Sequence, residues 1–344
     1  FERAAHIVHQ DLWINRVSAN SMEPRGALGV YDAFEERYTL YSGLQTPHRN
    51  RQDISENILH IPETQMRVIA TDVGGSFGMK GGTYREQPLV LWAAKKVGRP
   101  VKWLSDRSEG LLSDNHARDN QSAAALALDA DGKVLGLRVK TVVNVGGQLS
   151  SREPHSGINN LGTLSGTYVL PAIHVQVTGA FSNSGSTSAY RGAGRPEAAY
   201  IIERLLDIAA DEMKIDPAEI RRRNTIPPID EPFDTGFIFT YDSGDFGRNM
   251  EIALEMADYD GFETRRAEAK ARGRLRGIGI SNTIEQAANR GYESAQIRFS
   301  PTGAVTLLLG TISHGQGHET VFTQILCDQL GIDPAKIRVF EGDT

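Results

Sequence analysis

The sequence is short of cysteine, since Cys327 is the single one among 344 residues. One cysteine excludes an intrachain disulfide, and it excludes an iron–sulfur cluster held on this chain by the usual four cysteine ligands. No apolar run reaches the ~20 residues that a membrane-spanning helix needs, so we expect no membrane span. Acidic residues outnumber basic ones, with a formal net charge of −6, and nothing suggests a nucleic-acid partner. With no basic and apolar leader, the expected location is cytoplasmic.

The length of 344 residues is enough for two domains of ordinary size. The proline-punctuated stretch 226–239 is the expected boundary, which gives a first domain over 1–235 and a second over 240–344. The chain opens with Phe1 rather than Met, and it stops directly after a predicted strand. We therefore expect a piece of a longer polypeptide, in which the second domain is truncated at its C-terminal side.

A glycine-rich stretch, Val73–Tyr84, lies between a predicted strand over Met66–Val73 and a predicted helix over Leu89–Val97. A strand that feeds such a turn and then a helix leaves backbone N–H groups that converge on one point, where an anion binds. Lys80 could add a positive charge there. An ordinary structural turn is the alternative, because neither Gly-Lys-Ser/Thr nor Gly-x-Gly-x-x-Gly is present.

A second junction of the same type, Leu309–Glu319, follows a predicted strand and opens a helix. Two such cradles predict either two ligands or one long anionic ligand that is held at both ends. His314 and His318 are four residues apart, as in some metal sites, but Gly-Gln-Gly separates them and no third ligand except Glu319 is near. We therefore assign no metal ligand. The helix is expected to bury one apolar face, made by Val321, Phe322, Ile325, Leu326 and Leu330.

The third junction, Ser186–Glu197, opens a long amphipathic helix predicted over 196–213. Arg191 and Arg195 flank two glycines in a segment of small side chains, which leave room for a ligand. An arginine there could orient a ligand by forked hydrogen bonds. The alternative is an ordinary helix N-terminus with Arg195 in solvent.

The remaining pattern mixes helices and strands. We expect a hairpin over 122–128 and 134–145, an irregular functional segment over 146–166, and a solvated helix end at Arg221–Asn224. The strand at 100–104 should continue the sheet after the first helix, as in a βαβ unit. Further strands are expected at 276–284, 294–299 and 305–309, and helices from Asp216, over 249–257 and over 262–272.

Three stretches taken together, Gly74–Lys80, Ala189–Arg195 and Gly315–Thr320, resemble loops of one protein family. They are similar, in the same order, to those of the molybdopterin-binding large subunits of the xanthine dehydrogenase, aldehyde oxidase and aerobic carbon monoxide dehydrogenase family. Asn20–Gly26 and Glu341–Thr344 fit too. The resemblance implies an α+β fold with two mixed α/β molybdenum-cofactor-binding domains that hold the cofactor between them.

The resemblance also implies roles for individual residues. Gln45 matches a glutamine beside an apical oxo ligand of molybdenum, and Arg191 matches an arginine on the loop that faces the metal, so both are assigned catalytic roles. Gln316 matches a glutamine that contacts the pterin. The cofactor-binding positions implied by the matching loops are Gly74, Gly75, Phe77, Gly78, Gly192, Ala193, Gly315, Gln316 and Gly317.

The implied activity is that of a molybdenum hydroxylase, which carries out oxidative hydroxylation with water as the oxygen source. The implied cofactor is molybdenum-molybdopterin, often carried as the cytosine dinucleotide in bacteria. Iron–sulfur and FAD subunits would take the electrons, typically in a dimer of heterotrimers. The family's catalytic glutamate lies in a downstream Gly-Glu motif that this chain does not reach, so no residue here is assigned that role.

Two departures from the family pattern bear on the substrate. Gly81 stands where xanthine-oxidising members carry a substrate-binding glutamate, and Gly192 stands where carbon monoxide dehydrogenases carry a copper-binding cysteine. An aldehyde or an N-heterocycle is therefore the expected substrate. The alternative, from a different class, is a non-catalytic binding domain for a phosphorylated small molecule.

Overall fold

The computed structural model describes residues 1–151, 157, 161–285 and 293–344. Its strands are β1 (His6–Ile14), β2 (Gly26–Asp32), β3 (Arg37–Ser42), β4 (Met66–Ile69), β5 (Val101–Leu104), β6 (Asn120–Leu128), β7 (Val134–Gly146), β8 (Ile173–Phe181), β9 (Phe233–Asp234), β10 (Thr240–Tyr241), β11 (Ala295–Phe299), β12 (Val305–Leu309) and β13 (Ile337–Phe340). Its α-helices are α1 (Pro47–Gln52), α2 (Glu86–Val97), α3 (Arg107–Ser113), α4 (Arg195–Met213), α5 (Pro217–Asn224), α6 (Phe246–Met256), α7 (Phe262–Ala271) and α8 (His318–Leu330). The expected mixture of helices and strands is confirmed.

The first sheet has the strand order β1-β6-β7-β8, with β7 and β8 parallel and the other pairs antiparallel. The expected hairpin is the β6–β7 pair. On β7 alternate residues are buried, because one face of the sheet packs against α4. The core between them includes Leu126, Val139 and Leu205, each without exposed surface. The long helix predicted over 196–213 is confirmed as α4. The predicted irregular segment 146–166 lies partly outside the described residues.

The second sheet has the order β4-β3-β2-β5, and α2 covers one face. Strands β4 and β5 run in the same direction, since β3 is parallel to β4 while β2 is antiparallel to both β3 and β5. The βαβ prediction is therefore right in direction, but two strands separate its two members. Gly29 permits the close packing, because a Cβ there would lie 2.5 Å from the backbone of Val90 on α2.

The third sheet has the order β11-β12-β13, and α8 connects the parallel strands β12 and β13. The prediction that α8 buries a full apolar face is wrong. Leu326 is buried, but Val321, Ile325 and Leu330 are close to half exposed. Three short strands, one of them exposed along its whole length, offer too little apolar surface to cover a helix of this length.

The strand predicted over 276–284 is wrong, because this segment makes no sheet ladder. Its alternating isoleucines imitate a strand, yet its backbone bonds to side chains of α4 and α5. Asn282 N donates to Glu203 Oε1 at 3.1 Å, and Ile280 O accepts from the Arg221 guanidinium at 3.0 Å.

Arg221 contradicts the prediction of a solvated helix end. It has no exposed surface and forms ion pairs with Glu203 and Asp207, both at 2.8 Å. Burial of a guanidinium demands such compensation, and Tyr168 also donates its hydroxyl to Glu203 at 2.6 Å. The next residue, Arg222, is exposed as predicted.

The end of the chain docks on the free edge of the second sheet. Ala70 N donates to Gly342 O at 2.7 Å, and Arg67 forms an ion pair with Asp343. Ile312, from the loop after β12, is buried in the core of that sheet. These contacts place the second glycine-rich junction, Leu309–Glu319, beside the first. No helix in the described ranges is both long enough and apolar enough to cross a membrane.

A cavity enclosed by three glycine-rich loops

The three glycine-rich loops, far apart in sequence, meet around one cavity of about 670 Å³. Gln45 lies between them, at the end of the turn that follows β3. The lining residues are Gln45, Phe77, Gly78, Ala189, Tyr190, Arg191, Gly192, Ala193, Arg195, His314, Gly315 and Gln316. Of the site residues named from the sequence, Gly74, Gly75 and Gly317 are not among them.

The first loop does not present the expected ring of free backbone donors. The N–H groups of Gly74, Gly75, Gly78 and Met79 already have protein acceptors, at 2.9–3.1 Å. The acceptors are Glu23 Oε2, Val73 O, Gln45 Oε1 and Ser76 O. These hydrogen bonds hold the loop in shape, so these four N–H groups are not free to bind an anion.

Lys80 also departs from the expectation that it would add a charge to the cavity. Its side chain is 1% exposed, and its ammonium lies 2.6 Å from Glu23 Oε2. The same carboxylate accepts from Gly74 N, and a Cβ at Gly74 would lie 2.5 Å from the Cβ of Glu23. Glu23 and Lys80 therefore anchor the loop from behind the cavity. Glu23 was not singled out from the sequence, because 51 residues separate it from Gly74.

Gln45 is held so that its amide nitrogen is left for the cavity. Its Oε1 accepts from Ser76 Oγ at 2.7 Å and from Gly78 N at 3.1 Å. A backbone N–H only donates, so the atom that faces it must be the amide oxygen. Within the described residues the amide nitrogen has no protein acceptor. Gln45 is thus a fixed hydrogen-bond donor at the wall of the cavity.

The third-junction loop, residues 189–195, touches the first loop through backbone atoms. Arg191 N donates to Phe77 O at 2.8 Å, and a Cβ on Gly78 would lie 2.6 Å from Ala189 O. Gly192, Ala193 and Gly194 have φ of +86°, +43° and +91°, a run that non-glycine residues adopt at a cost. At Gly192 a Cβ would also lie 2.7 Å from the ring of Pro196.

The two arginines of this loop differ in availability. Arg195 forms an ion pair with Glu285 at 2.6 Å, so the alternative in which it is simply solvated is wrong. Arg191 is exposed at the cavity and has no ion-pair partner among the described residues. Its guanidinium lies 6.0 Å from the centre of the Phe77 ring. Arg191 is therefore the cation that a ligand meets.

Arg118 and Glu197 lie behind this loop and were not found from the sequence. Arg118 donates to Tyr190 O at 3.1 Å and to Arg191 O at 2.8 Å, and it forms an ion pair with Glu197 at 3.3 Å. Burial raises the pKa of Glu197, an effect that Arg118 partly offsets. More than 70 residues separate Arg118 from its carbonyl partners, so no local pattern marks it.

The loop around Gly315–Gly317 is shaped by its own side chains. Gln316 Oε1 folds back to accept from His314 N at 2.7 Å, and the Gln316 amide nitrogen lies 3.4 Å from His314 Nε2. Gly317 has φ of +73° and begins α8 without a side-chain cap. Burial lowers the pKa of His314, so its imidazole is neutral near pH 7.

The two histidines of this loop have different surroundings. His318 Nδ1 lies 3.0 Å from Glu341 Oε2, and the other oxygen of Glu341 accepts from Ser313 N at 3.0 Å. His318 is thereby committed to the chain end, while His314 lines the cavity. In the described part of the chain, no three side chains of His, Cys, Asp or Glu cluster as metal ligands would.

Two family models match the chain, both described as the molybdopterin cofactor-binding domain, over residues 1–225 and 252–344. The carbon monoxide dehydrogenase large chain of Hydrogenophaga pseudoflava is 35% identical, covering 100% of this chain and 45% of that protein. The 6-hydroxypseudooxynicotine dehydrogenase complex subunit gamma of Paenarthrobacter nicotinovorans is 33% identical, covering 100% and 44%. The crystal structure of quinoline 2-oxidoreductase from Pseudomonas putida 86 superposes with a TM-score of 0.91 at 31% identity, covering 100% and 45%. The chain thus spans less than half the length of each relative.

Proposed function

The chain belongs to the molybdopterin cofactor-binding domain family, and from that premise we propose that it forms part of the large subunit of a molybdenum hydroxylase. The observation that carries the proposal is the convergence of three glycine-rich loops on one cavity. We place the two domains at 1–235 and 240–344, with the cavity between them.

The residues around the cavity fit an anionic cofactor. No carboxylate is among its lining residues, while Arg191 is available as a cation and the amide nitrogen of Gln45 as a donor. Gln45 and Phe77 would hold the metal end, and Gly315–Gly317 would hold the pterin. A site spread over three loops suits a long ligand, and we propose the cytosine dinucleotide form of the cofactor.

When bound, the molybdenum cofactor would supply the two-electron oxidation of a C–H carbon, with water as the source of the oxygen. Gln45 would donate a hydrogen bond at the metal centre, because its oxygen is already occupied by Ser76 and Gly78. Arg191 would orient a substrate carbonyl or carboxylate by forked hydrogen bonds. The Phe77 ring would exclude water from the metal end of the cavity.

We propose an aldehyde or an N-heterocycle as the substrate. A copper–thiolate site needs a cysteine that faces the metal, and the third-junction loop has Gly192 where that cysteine would stand. Cys327 lies on α8 and does not line the cavity. Ala193 and Gly194 leave space for an organic molecule. The chain is similar both to a protein named for carbon monoxide and to one named for quinoline, so similarity alone does not decide between carbon monoxide and an organic substrate.

Product analysis of the complete enzyme in ¹⁸O-labelled water tests this function. We expect one labelled oxygen per molecule of hydroxylated heterocycle or carboxylic acid formed. Carbon monoxide oxidation, assayed with and without added copper, should be negligible in both cases. Copper-dependent turnover of carbon monoxide would overturn the substrate proposal, and unlabelled product from organic substrates would overturn the hydroxylase mechanism.

The electrons must leave the site through other polypeptide, since one cysteine cannot hold an iron–sulfur cluster on this chain. We propose iron–sulfur and FAD subunits as partners, in a dimer of heterotrimers, in the cytoplasm. A complex purified through the full-length large subunit should contain both cofactors. Dye reduction by that subunit alone, at the rate of the whole complex, would contradict the need for partners.

A second candidate, a non-catalytic domain for a phosphorylated small molecule, has one observation in its favour. The helix α8 follows Gly317, which provides no side-chain cap, and the preceding Gln316 lines the cavity. Free N–H groups at a helix N-terminus bind phosphate. Metal content separates the two candidates, because such a domain would contain no molybdenum.

A further inference from the structure

The third-junction loop cannot set its own conformation. Gly192, Ala193 and Gly194 all have positive φ, and two of the three are glycines, for which many backbone arrangements are close in free energy. Within the loop, Ala193 N donates to Tyr190 O at 2.7 Å and Arg195 N donates to Gly192 O at 3.0 Å. These short turns close the loop on itself, but they do not fix the direction of its outer peptides relative to the cavity.

The guanidinium of Arg118 supplies that direction from outside. It reaches two successive carbonyls, Tyr190 O at 3.1 Å and Arg191 O at 2.8 Å, through different nitrogens. A planar fork that binds two acceptors fixes orientation as well as distance. The Arg118 side chain is 9% exposed, so water competes little for these hydrogen bonds.

The position of Arg118 follows from an unusual backbone. His116 pairs in parallel with Thr187, which brings the two segments side by side. Arg118 and Asp119 then have φ of +65° and +66°, just before β6 begins at Asn120. Two successive non-glycine residues in the left-handed region are costly, and such conformations cluster at functional sites. This reversal of the backbone brings the Arg118 side chain to the carbonyls of Tyr190 and Arg191.

The hydrogen bonds continue from Arg118 to the residues that line the cavity. Arg191, whose carbonyl Arg118 binds, donates its own N–H to Phe77 O at 2.8 Å. Next to Phe77, Gly78 N donates to Gln45 Oε1 at 3.1 Å. Arg118 is not itself a lining residue, but Tyr190 and Arg191, whose carbonyls it binds, both line the cavity. Its influence passes through Arg191 and Phe77.

We propose that Arg118 is a positioning residue of the cavity: its guanidinium fork on the Tyr190 and Arg191 carbonyls holds Arg191 in the orientation in which it receives a ligand. Glu197 neutralises the buried charge. The effect on substrate binding rests on the proposed function, whereas the effect on the loop does not.

The variant Arg118→Lys tests the planar geometry of the guanidinium separately from its positive charge. A lysine keeps a cation beside Glu197, at 7% exposure, so the fold is preserved, but an ammonium cannot reproduce a planar fork. In the full-length enzyme, hydrogen exchange at the Arg191 and Ala193 amides should accelerate on the order of tenfold, because hydrogen bonds to a charged group are lost nearby. Exchange in β6 and β7 should stay unchanged. Arg118→Gln should show the larger effect.

Arg221→Gln is the matched control, since it also removes a buried, ion-paired guanidinium, and the partners of Arg221 belong to α4, α5 and the segment 276–284 rather than to the three loops. It should lower the melting temperature without selective acceleration at the third-junction loop. With an organic substrate, Arg118→Lys should raise KM several-fold. Wild-type exchange at the Arg191 and Ala193 amides in Arg118→Lys would overturn the proposal. Accelerated exchange in an enzyme without molybdenum or turnover would instead leave Arg118 as the clamp and remove the hydroxylase function.

Discussion

The direction of the hydrogen bonds at Gln45 predicts which substitutions of this residue lower turnover. Gln45→Glu keeps an oxygen for Ser76 and Gly78 but removes the amide donor that the cavity receives. We expect turnover in the complete enzyme to fall about 10- to 100-fold, as for other groups that orient a metal centre, with molybdenum content less affected. Gln45→Ala should behave similarly. Parallel assays of kcat and metal per chain check this, and wild-type turnover in both variants would remove Gln45 from the site.

Gly78 tests the contact between two of the loops. Gly78→Ala places a methyl group 2.6 Å from Ala189 O at a φ of +99°, so the loops must separate. We expect a lower melting temperature and loss of bound cofactor. Gly277→Ala is the control, because its Cβ meets no atom within 4 Å, and it should change the free energy of unfolding by about 0.5 kcal/mol or less. Equal melting curves for the two variants would contradict this account.

Single residues also show how far sequence reasoning reaches. The resemblance of short motifs led to Gln45, Phe77, Arg191 and Gln316, and these line one cavity. The expectation that Lys80 adds a charge to the cavity failed, because its ammonium pairs with Glu23, which is distant in sequence. It also failed to find Arg118, whose partners lie more than 70 residues away. Long-range ion pairs leave no trace in spacing or periodicity.

At the scale of elements, the junction of α4 and α5 carries the sharpest stability prediction. Arg221→Met leaves Glu203 buried without its cation, and we expect a loss of about 3–5 kcal/mol in the free energy of unfolding. Arg222→Ala removes an exposed pair with Glu251 and should cost about 0–1 kcal/mol. Denaturant titrations of both variants provide the measurement. Similar losses would show that burial does not decide the effect.

Elements with strong periodicity were predicted correctly, among them α4 and the β6–β7 hairpin, because their burial agrees with their pattern. The segment 276–284 was predicted wrongly, because its backbone bonds to side chains of α4 and α5 rather than to a neighbouring strand. The apolar pattern of α8 predicted its helix but not its burial. Periodicity reports which face is apolar, whereas the neighbouring elements determine whether that face is covered.

At the scale of the whole molecule, Asp343 joins the second half of the chain to β4 of the first. Its hydrogen bond with Arg67 lowers the pKa of the carboxyl below the ordinary value of 3.8. The stabilisation is therefore present above pH 3.8 and is lost as pH falls through the lower, folded-state value. Both side chains are 40–46% exposed, so solvent screening limits the effect to less than about 1 kcal/mol.

Asp343→Asn should consequently melt slightly below wild type at pH 7, with a difference that shrinks below pH 3.8. Melting temperatures of the two proteins over a pH series are the measurement. A difference that grows on acidification would contradict the sign of this linkage.

We propose that the three loops hold a molybdenum cofactor, and the molybdenum content of the purified full-length protein tests this most directly. Expression must take place in a host in which a reference molybdenum hydroxylase acquires its metal. We predict close to one molybdenum atom per large subunit, together with cytidine monophosphate released on hydrolysis. A protein that folds and binds its partner subunits in that host, yet contains no molybdenum, would contradict the account.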